Sequence, residues 1–445
     1  MKINILEMHS SLGYAGGQRN MVTFVKYLRK DIFNVSVIAY RVGGPLETVL
    51  KELGIPYMVA HNDVAKIIEF IKAHNIDVIH IHRSGGSVPF ETQFLTEAKK
   101  YNPNIVIIQK NVFGKYDPTV FEIMDCSFLQ SMMHLNERYL VAAQKDFDFN
   151  KEKVLYNMVD AEEFERYRVS AAEVMQYKKE LGIDPNDFVV GKVARPALEK
   201  WSDLIIEMMP FLVKKIPHVK IVIIGCPPSR MRYIERSAYK KFFCLLPETS
   251  DQAKLHLFYQ AIDVLAHSSK IGECNGNTIN EAMFWRKPVL VNSTPRKDNG
   301  QLEQVKHKVS GIIANTPPTL AQAITWLANN PQEYAKMATE AYKQVSVVNQ
   351  PRAITEQVEK FLVEKMASRH SSASLSLCEE YAKIEYNPSQ NDIVNYHSEY
   401  QKRLTWDFAD LTLFETITLL QILPRRFYFK VRDFIEHKWF SYVKR

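Results

Sequence analysis

No stretch of this sequence approaches 18 consecutive apolar residues, so no membrane-spanning helix is expected. Cysteine is scarce. Cys126, Cys226, Cys244, Cys274 and Cys378 are scattered without any C-x-x-C spacing. That pattern excludes a zinc-ribbon or disulfide framework and favours a reducing compartment. The opening Met1-Lys-Ile-Asn-Ile-Leu enters a strand with no signal-peptide pattern, so the expected location is cytoplasmic, with peripheral attachment to the inner face of a membrane left open. The dinucleotide fingerprint G-x-G-x-x-G is also missing from the first strand–helix turn. One D-x-D, Asp146-Phe147-Asp148, lies off any definable strand end and reads as surface acid.

What is present is a chain of 445 residues, enough for two domains and an extension. Short apolar runs alternate with helical patterns: strands over Ile3–Met8, Val35–Ala39, Tyr57–Val59, Asp77–His82 and Ile105–Gln109, and again over Val189–Val193, Val219–Gly225, Phe243–Leu246, Ile262–Ala266 and Val289–Val291. A helix is expected from Asp203 to about Lys215. Such alternation predicts parallel sheets covered on both faces, with ligands at the carboxyl ends of the strands. The net charge is +7, and the last 21 residues hold seven Lys/Arg against two Asp/Glu, interleaved with aromatics. That tail, 425–445, suits an interfacial helix on an anionic membrane or a helix packed on the body with a basic outer face. The basic tail alone does not make a nucleic-acid binder, and none is expected.

Four places carry chemistry. Gly13-Tyr-Ala-Gly16-Gly17-Gln-Arg19 lies between a strand and a helix, where glycine lets backbone approach a ligand. His80 and His82 share one strand face, with His82 at the expected strand exit. Arg195 and Lys200, five apart after a strand, offer a planar fork and a point charge to a diphosphate. Between Ile271 and Val291, Glu273 and Glu281 stand eight residues apart around a Gly/Asn-rich turn. Free N–H groups at the helix start near Asn277 and Thr278 favour anions.

The run Glu273-x7-Glu281-Ala282-Met283, closed by Lys287-Pro288-Val289, resembles the signature of retaining glycosyltransferases of the GT-B fold, family 4 (glycosyl transferases group 1). The glycine-rich loop, the strand ending in Arg195 and Lys200, and Asn157-Met-Val-Asp160 resemble other segments of that family over about residues 1–366. The resemblance implies an α/β, GT-B fold: two Rossmann-like domains facing across a cleft, with an additional C-terminal helical extension. The expected domains are an acceptor-side domain at 1–165, a nucleotide-sugar-binding domain at 166–350, a helix crossing back at 351–368, and a linker and basic aromatic extension at 369–445. It further implies a metal-independent hexosyltransferase without cofactor, moving a sugar from a UDP- or GDP-sugar to a glycan or lipid-linked acceptor. Arg195, Lys200 and Glu273 would be catalytic; Gly17, Arg195, Lys200, Asn277, Thr278 and Glu281 would bind the donor. Many relatives carry a histidine after the next first-domain strand. Here that place reads Gln109-Lys110-Asn111, so His82, Lys110 and Asn111 are the acceptor-side candidates. A non-catalytic nucleotide-sugar- or glycan-binding subunit, and an epimerase or phosphorylase on the same body, are the alternatives.

Overall fold

The computed structural model describes residues 2–135, 148–294, 298–369 and 375–396. Asp146 and the tail 425–445 lie outside the described residues. Contacts group the chain into two units: Met1–Arg168 with Cys274–Phe284 and Lys343–Ile393, and Val169–Glu273 with Trp285–Tyr342. The motif helix Asn277–Phe284, expected within 166–350, therefore groups with the first unit, where Phe284 meets the ring of Phe164 edge-on.

The first unit is built on a seven-stranded sheet: β1 (Ile3–Ser11), β2 (Phe33–Val42), β3 (Tyr57–Val59), β4 (Val78–Arg83), β5 (Val106–Asn111), β6 (Cys126–Leu129) and β7 (Glu152–Val154), in the order β3-β2-β1-β4-β5-β6-β7. Every pairing is parallel. Successive strand residues point to opposite faces, and both faces are apolar, so the strands read as continuous hydrophobic runs. Ile5, Val78 and Val106 join one core with Phe24 and Leu362. Leu6, Ile79 and Ile107 join the other with Phe94. The segment after Lys343 closes the first core: the long helix Pro351–Arg369 buries Val358 and Leu362 there. Its Glu359, fully buried, accepts from the Arg29 amide (2.8 Å), the Arg352 guanidinium and the Tyr381 hydroxyl (2.7 Å).

The second unit repeats the plan with β8 (Phe188–Val193), β9 (Val219–Ile224), β10 (Phe243–Leu246), β11 (Val264–His267), β12 (Val289–Val291) and β13 (Gly311–Ile313), all parallel, in the order β10-β9-β8-β11-β12-β13. Trp201, Met209, Ile221 and Leu327 fill one face. Here the single helix expected from Asp203 is two short ones, Leu204–Glu207 and Met209–Leu212. Pro210 has no N–H to give the preceding turn, which is why the helix cannot run through. In both sheets the strand order reverses between the first and fourth strands of the unit, and ligands of such folds gather outside the carboxyl ends at that switch point. Among the described residues no helix is long and apolar enough to cross a membrane.

Candidate functional site

In the second unit the switch point lies between β8 and β11, and both predicted catalytic loops leave from it. After β8 the chain turns through Ala194–Lys200. Trp201, fully buried, pins this turn by donating its indole N–H to the Arg195 carbonyl at 3.2 Å. The Arg195 side chain is exposed and makes no hydrogen bond or ion pair among the described residues. Lys200 instead reaches Glu273, its Nζ 3.0 Å from both carboxylate oxygens. The structure thus brings together two of the three expected catalytic residues.

Two further residues hold Glu273 and a third, Lys192, lies close by; none was singled out from the sequence. His267, the last residue of β11, places Nε2 3.1 Å from Oε1. Gln301 accepts the Glu273 amide at 2.9 Å. Lys192, buried within β8, sets its ammonium on the Ser268 carbonyl (2.7 Å) and over the Trp201 ring (4.8 Å). Lys192 alone left a trace in the sequence, a cation within the apolar run Val189-Val-Gly-Lys-Val. Burial drags its pKa down to about 8. Burial also lowers His267, which Glu273 only partly offsets, so a neutral imidazole donates to the carboxylate. For Glu273 burial pushes upward, but His267 and Lys200 outweigh it and hold the carboxyl at about 2.

This fixes a pH dependence. The folded pKa lies below the ordinary 4.5. Above pH 4.5 the carboxylate is charged in both states and its network stabilises the fold. As pH falls from 4.5 towards 2 the unfolded chain takes the proton first, and that stability is lost. The contribution is on the order of 3 kcal/mol. Urea unfolding of wild type and Glu273→Gln should differ by that much at pH 6 and progressively less down to pH 3. A difference that does not change with pH would contradict the assignment.

In the first unit the helix Gly16–Tyr27 starts within the glycine-rich loop. A Cβ on Gly16 would stand 2.6 Å from Asn277 Nδ2, and one on Gly17 3.2 Å from His9 Nε2. Arg19 in the first turn pairs with Glu281, NH2 to Oε1 at 2.5 Å, and Glu281 is buried. Asn277 opens the motif helix and accepts from Asn157 Nδ2 at 2.8 Å, with Thr278 beside it in the same first turn. Glu281, Arg19, Asn20, Asp160, Glu163 and Asn277, with Met158, Val159 and Phe164, border a cavity of about 30 Å³, water-sized. Nothing in the sequence linked Arg19 to Glu281 across 262 positions. Arg19→Met should cost about 1–3 kcal/mol, the buried-pair penalty discounted because the arginine is partly exposed. A double-mutant cycle with Glu281→Gln should return a coupling above about 1 kcal/mol. Additive effects would show that the pair is incidental.

The two strands run slightly further than expected. His82 is the penultimate residue of β4, Lys110 and Asn111 are the last two of β5, and all three are buried. Polar residues extend these strands because partners await them inside. Glu7 on β1 takes His80 Nδ1 at 2.9 Å and His82 Nε2 at 3.0 Å, one on each oxygen. Burial lowers His82 to about 4. The Lys110 ammonium lies on the carbonyls of Leu155 and Tyr156, and burial lowers it to about 7. Asn111 donates to the Lys115 carbonyl at 2.8 Å, and its Oδ1, facing a pocket lined by Arg83, Lys115 and Tyr116, has no hydrogen-bond partner.

Comparison with known proteins bears on the same elements. Residues 174–344 match the sequence model described as "Glycosyl transferases group 1". The chain is 27% identical over 177 residues to the alpha-monoglucosyldiacylglycerol synthase of Acholeplasma laidlawii, covering 39% of this chain and 43% of that one. It is 24% identical over 254 residues to the trehalose synthase of Thermococcus litoralis, covering 53% and 58%. The chain thus spans about half the length of the curated relatives it matches. Among solved structures, Anabaena Alr3699/HepE in complex with UDP superposes with a TM-score of 0.64 at 21% identity, over 82% of this chain and 100% of that one. A glycosyltransferase from Rickettsia africae gives 0.67 at 17% identity, over 82% and 99%. At these identities the structures speak for the fold, which is the GT-B architecture of two Rossmann-like domains. The stretch similar to the glycosyl transferases group 1 model, 174–344, runs from the helix before β8 into the second helix after β13.

Proposed function

We propose that this protein is a retaining, metal-independent glycosyltransferase that moves a sugar from a UDP- or GDP-sugar to a glycan or lipid-linked acceptor. The observation that carries the reading is Lys200 held on Glu273 at the carboxyl ends of β8 and β11, inside a group 1 glycosyltransferase domain. In this scheme Lys200 and the unengaged Arg195 neutralise the charge that develops on the departing diphosphate, a preorganised electrostatic stabilisation. Glu273 contacts the donor sugar. Glu281 holds the ribose, and main-chain N–H groups near Gly17, Asn277 and Thr278 take phosphate oxygens. No protein nucleophile is assigned.

UDP is the first donor nucleotide to test, because a structural neighbour was solved with UDP and with UDP-glucose. A lipid-linked acceptor is in keeping with the similarity to a diacylglycerol glycoside synthase. On this reading Asn111 is the acceptor-side residue with an unused oxygen, and the tail 425–445 touches an anionic membrane. The test is a thermal-shift panel of nucleoside diphosphates and their sugars, with and without EDTA. Ligand at 100 times its Kd should stabilise the native state by about 2.7 kcal/mol. UDP or GDP should raise the melting temperature equally with EDTA, and Arg195→Ala should weaken the effect. A shift seen only with added metal, or none at all, would overturn the scheme.

A further inference from the structure

Between Phe211 and Lys241 the second unit carries eight Lys/Arg and a single acid, Glu235, against +7 for the whole chain. Of the eight, only Arg230 is neutralised, by Asp203. The other seven make no ion pair among the described residues. The fold gathers them. Lys214 and Lys215 are exposed just before β9, and Lys240 and Lys241 are exposed just before β10. These two strands are parallel neighbours, with Phe243 beside Ile221, so their amino ends lie side by side. Lys220 binds the two together, its ammonium 3.4 Å from the Lys241 carbonyl. Arg232 and Arg236 lie one turn apart on the helix Pro228–Arg236, which runs down to the same end. Two large apolar side chains stand exposed among the cations, Tyr233 at 59% and Phe211 at 47%.

We infer that this face of the second unit is a docking surface for an anionic lipid bilayer. It lies at the amino ends of β9 and β10, whereas Lys200 and Glu273 lie at the carboxyl ends of the same sheet, so the patch is not part of the donor chemistry. Unpaired like charges close together repel one another and would be relieved by a polyanionic partner. Their spread over two strand ends and a helix suits an extended surface, not a single small anion. Cations interleaved with exposed aromatic rings are the composition of interfacial segments: the charges take lipid headgroups and the rings enter the boundary. The choice of a bilayer over a nucleic acid rests in one part on the proposed lipid-linked acceptor; the charge argument does not.

The test uses the full chain and vesicles of phosphatidylcholine with 30% phosphatidylglycerol, read by co-sedimentation at about 0.1 M salt. The variant is Arg232→Glu/Arg236→Glu/Lys240→Glu/Lys241→Glu, with the four glutamines as a milder version should reversal disturb folding. Partitioning should fall at least tenfold in the reversal variant, with an unchanged melting temperature and an unchanged thermal shift by UDP. Wild-type binding should also weaken on raising salt and vanish on pure phosphatidylcholine. A loss smaller than tenfold, equal binding to neutral vesicles, or a loss confined to a double-stranded oligonucleotide would overturn the inference. The UDP shift reports separately on the glycosyltransferase reading, so the two can fail independently.

Discussion

On the proposed mechanism, Lys200→Met is expected to lower the turnover for sugar transfer by about 10²–10³-fold, the usual cost of removing one preorganised group from a developing anion. Lys200 sits on Glu273 before any substrate arrives, and Trp201 and the β8 exit fix its starting point, so little reorganisation is needed when the diphosphate departs. The loss should fall on kcat, because charge on the leaving group is greater in the transition state than in the bound donor. Lys200→Arg should restore only part of it: a planar fork on a longer stem does not reproduce a point charge set between two carboxylate oxygens. Steady-state kinetics of the three proteins decide the matter. A change in KM with turnover preserved would make Lys200 a binding group only.

Gly272→Ala should be strongly damaging for the addition of a single methyl. Gly272 has φ +72°, a left-handed conformation that costs a non-glycine residue about 1–2 kcal/mol. Its hypothetical Cβ would also stand 1.4 Å from the Asp298 carbonyl oxygen and 2.3 Å from Thr294 Oγ1. The backbone must move, at a further cost of about 1–3 kcal/mol or more. Because Gly272 immediately precedes Glu273, that movement displaces the carboxylate from Lys200 and His267. We expect roughly 2–5 kcal/mol of lost stability by urea unfolding together with loss of transfer activity. Gly182 provides the control. It too is left-handed, but nothing lies within 4 Å of its Cβ position, so Gly182→Ala should show only the conformational cost. Equal effects at both sites would refute the steric argument.

Much of this was legible in the sequence, for a physical reason. Strands buried on both faces have to be apolar throughout, so runs such as Val189–Val193 and Val289–Val291 mark themselves, and a helix between consecutive strands forces parallel pairing. Where the reading stopped short, polar residues continued a strand. Arg83 in β4, and Lys110 and Asn111 in β5, resemble loop residues until their partners are known, and those partners are remote: Tyr156 lies 46 positions from Lys110. The same holds for the site. Glu273 and Lys200 were found through a motif, but the residues that aim them, His267, Gln301 and Trp201, carry no motif and are defined only by where the strands end. Arg19 is the extreme case, an ordinary helix cation until Glu281 is brought to it.

The route of the chain through its first unit has a consequence for synthesis. That unit takes Met1–Arg168, then only the short Cys274–Phe284, and is completed by Lys343–Ile393, whose helix supplies Val358 and Leu362 to one face of the seven-stranded sheet and Glu359 to Arg29. A ribosome adding about 5–20 residues per second needs roughly 10–35 s to travel from Arg168 to Lys343. For that interval one face of the nascent sheet is only partly covered, by residues such as Phe24 and Leu50 of the early helices, while the second unit, nearly continuous in sequence, is translated and can close first. The unit that holds Met1–Arg168 is thus the one that finishes folding last, and its partly covered face is where a chaperone would be needed.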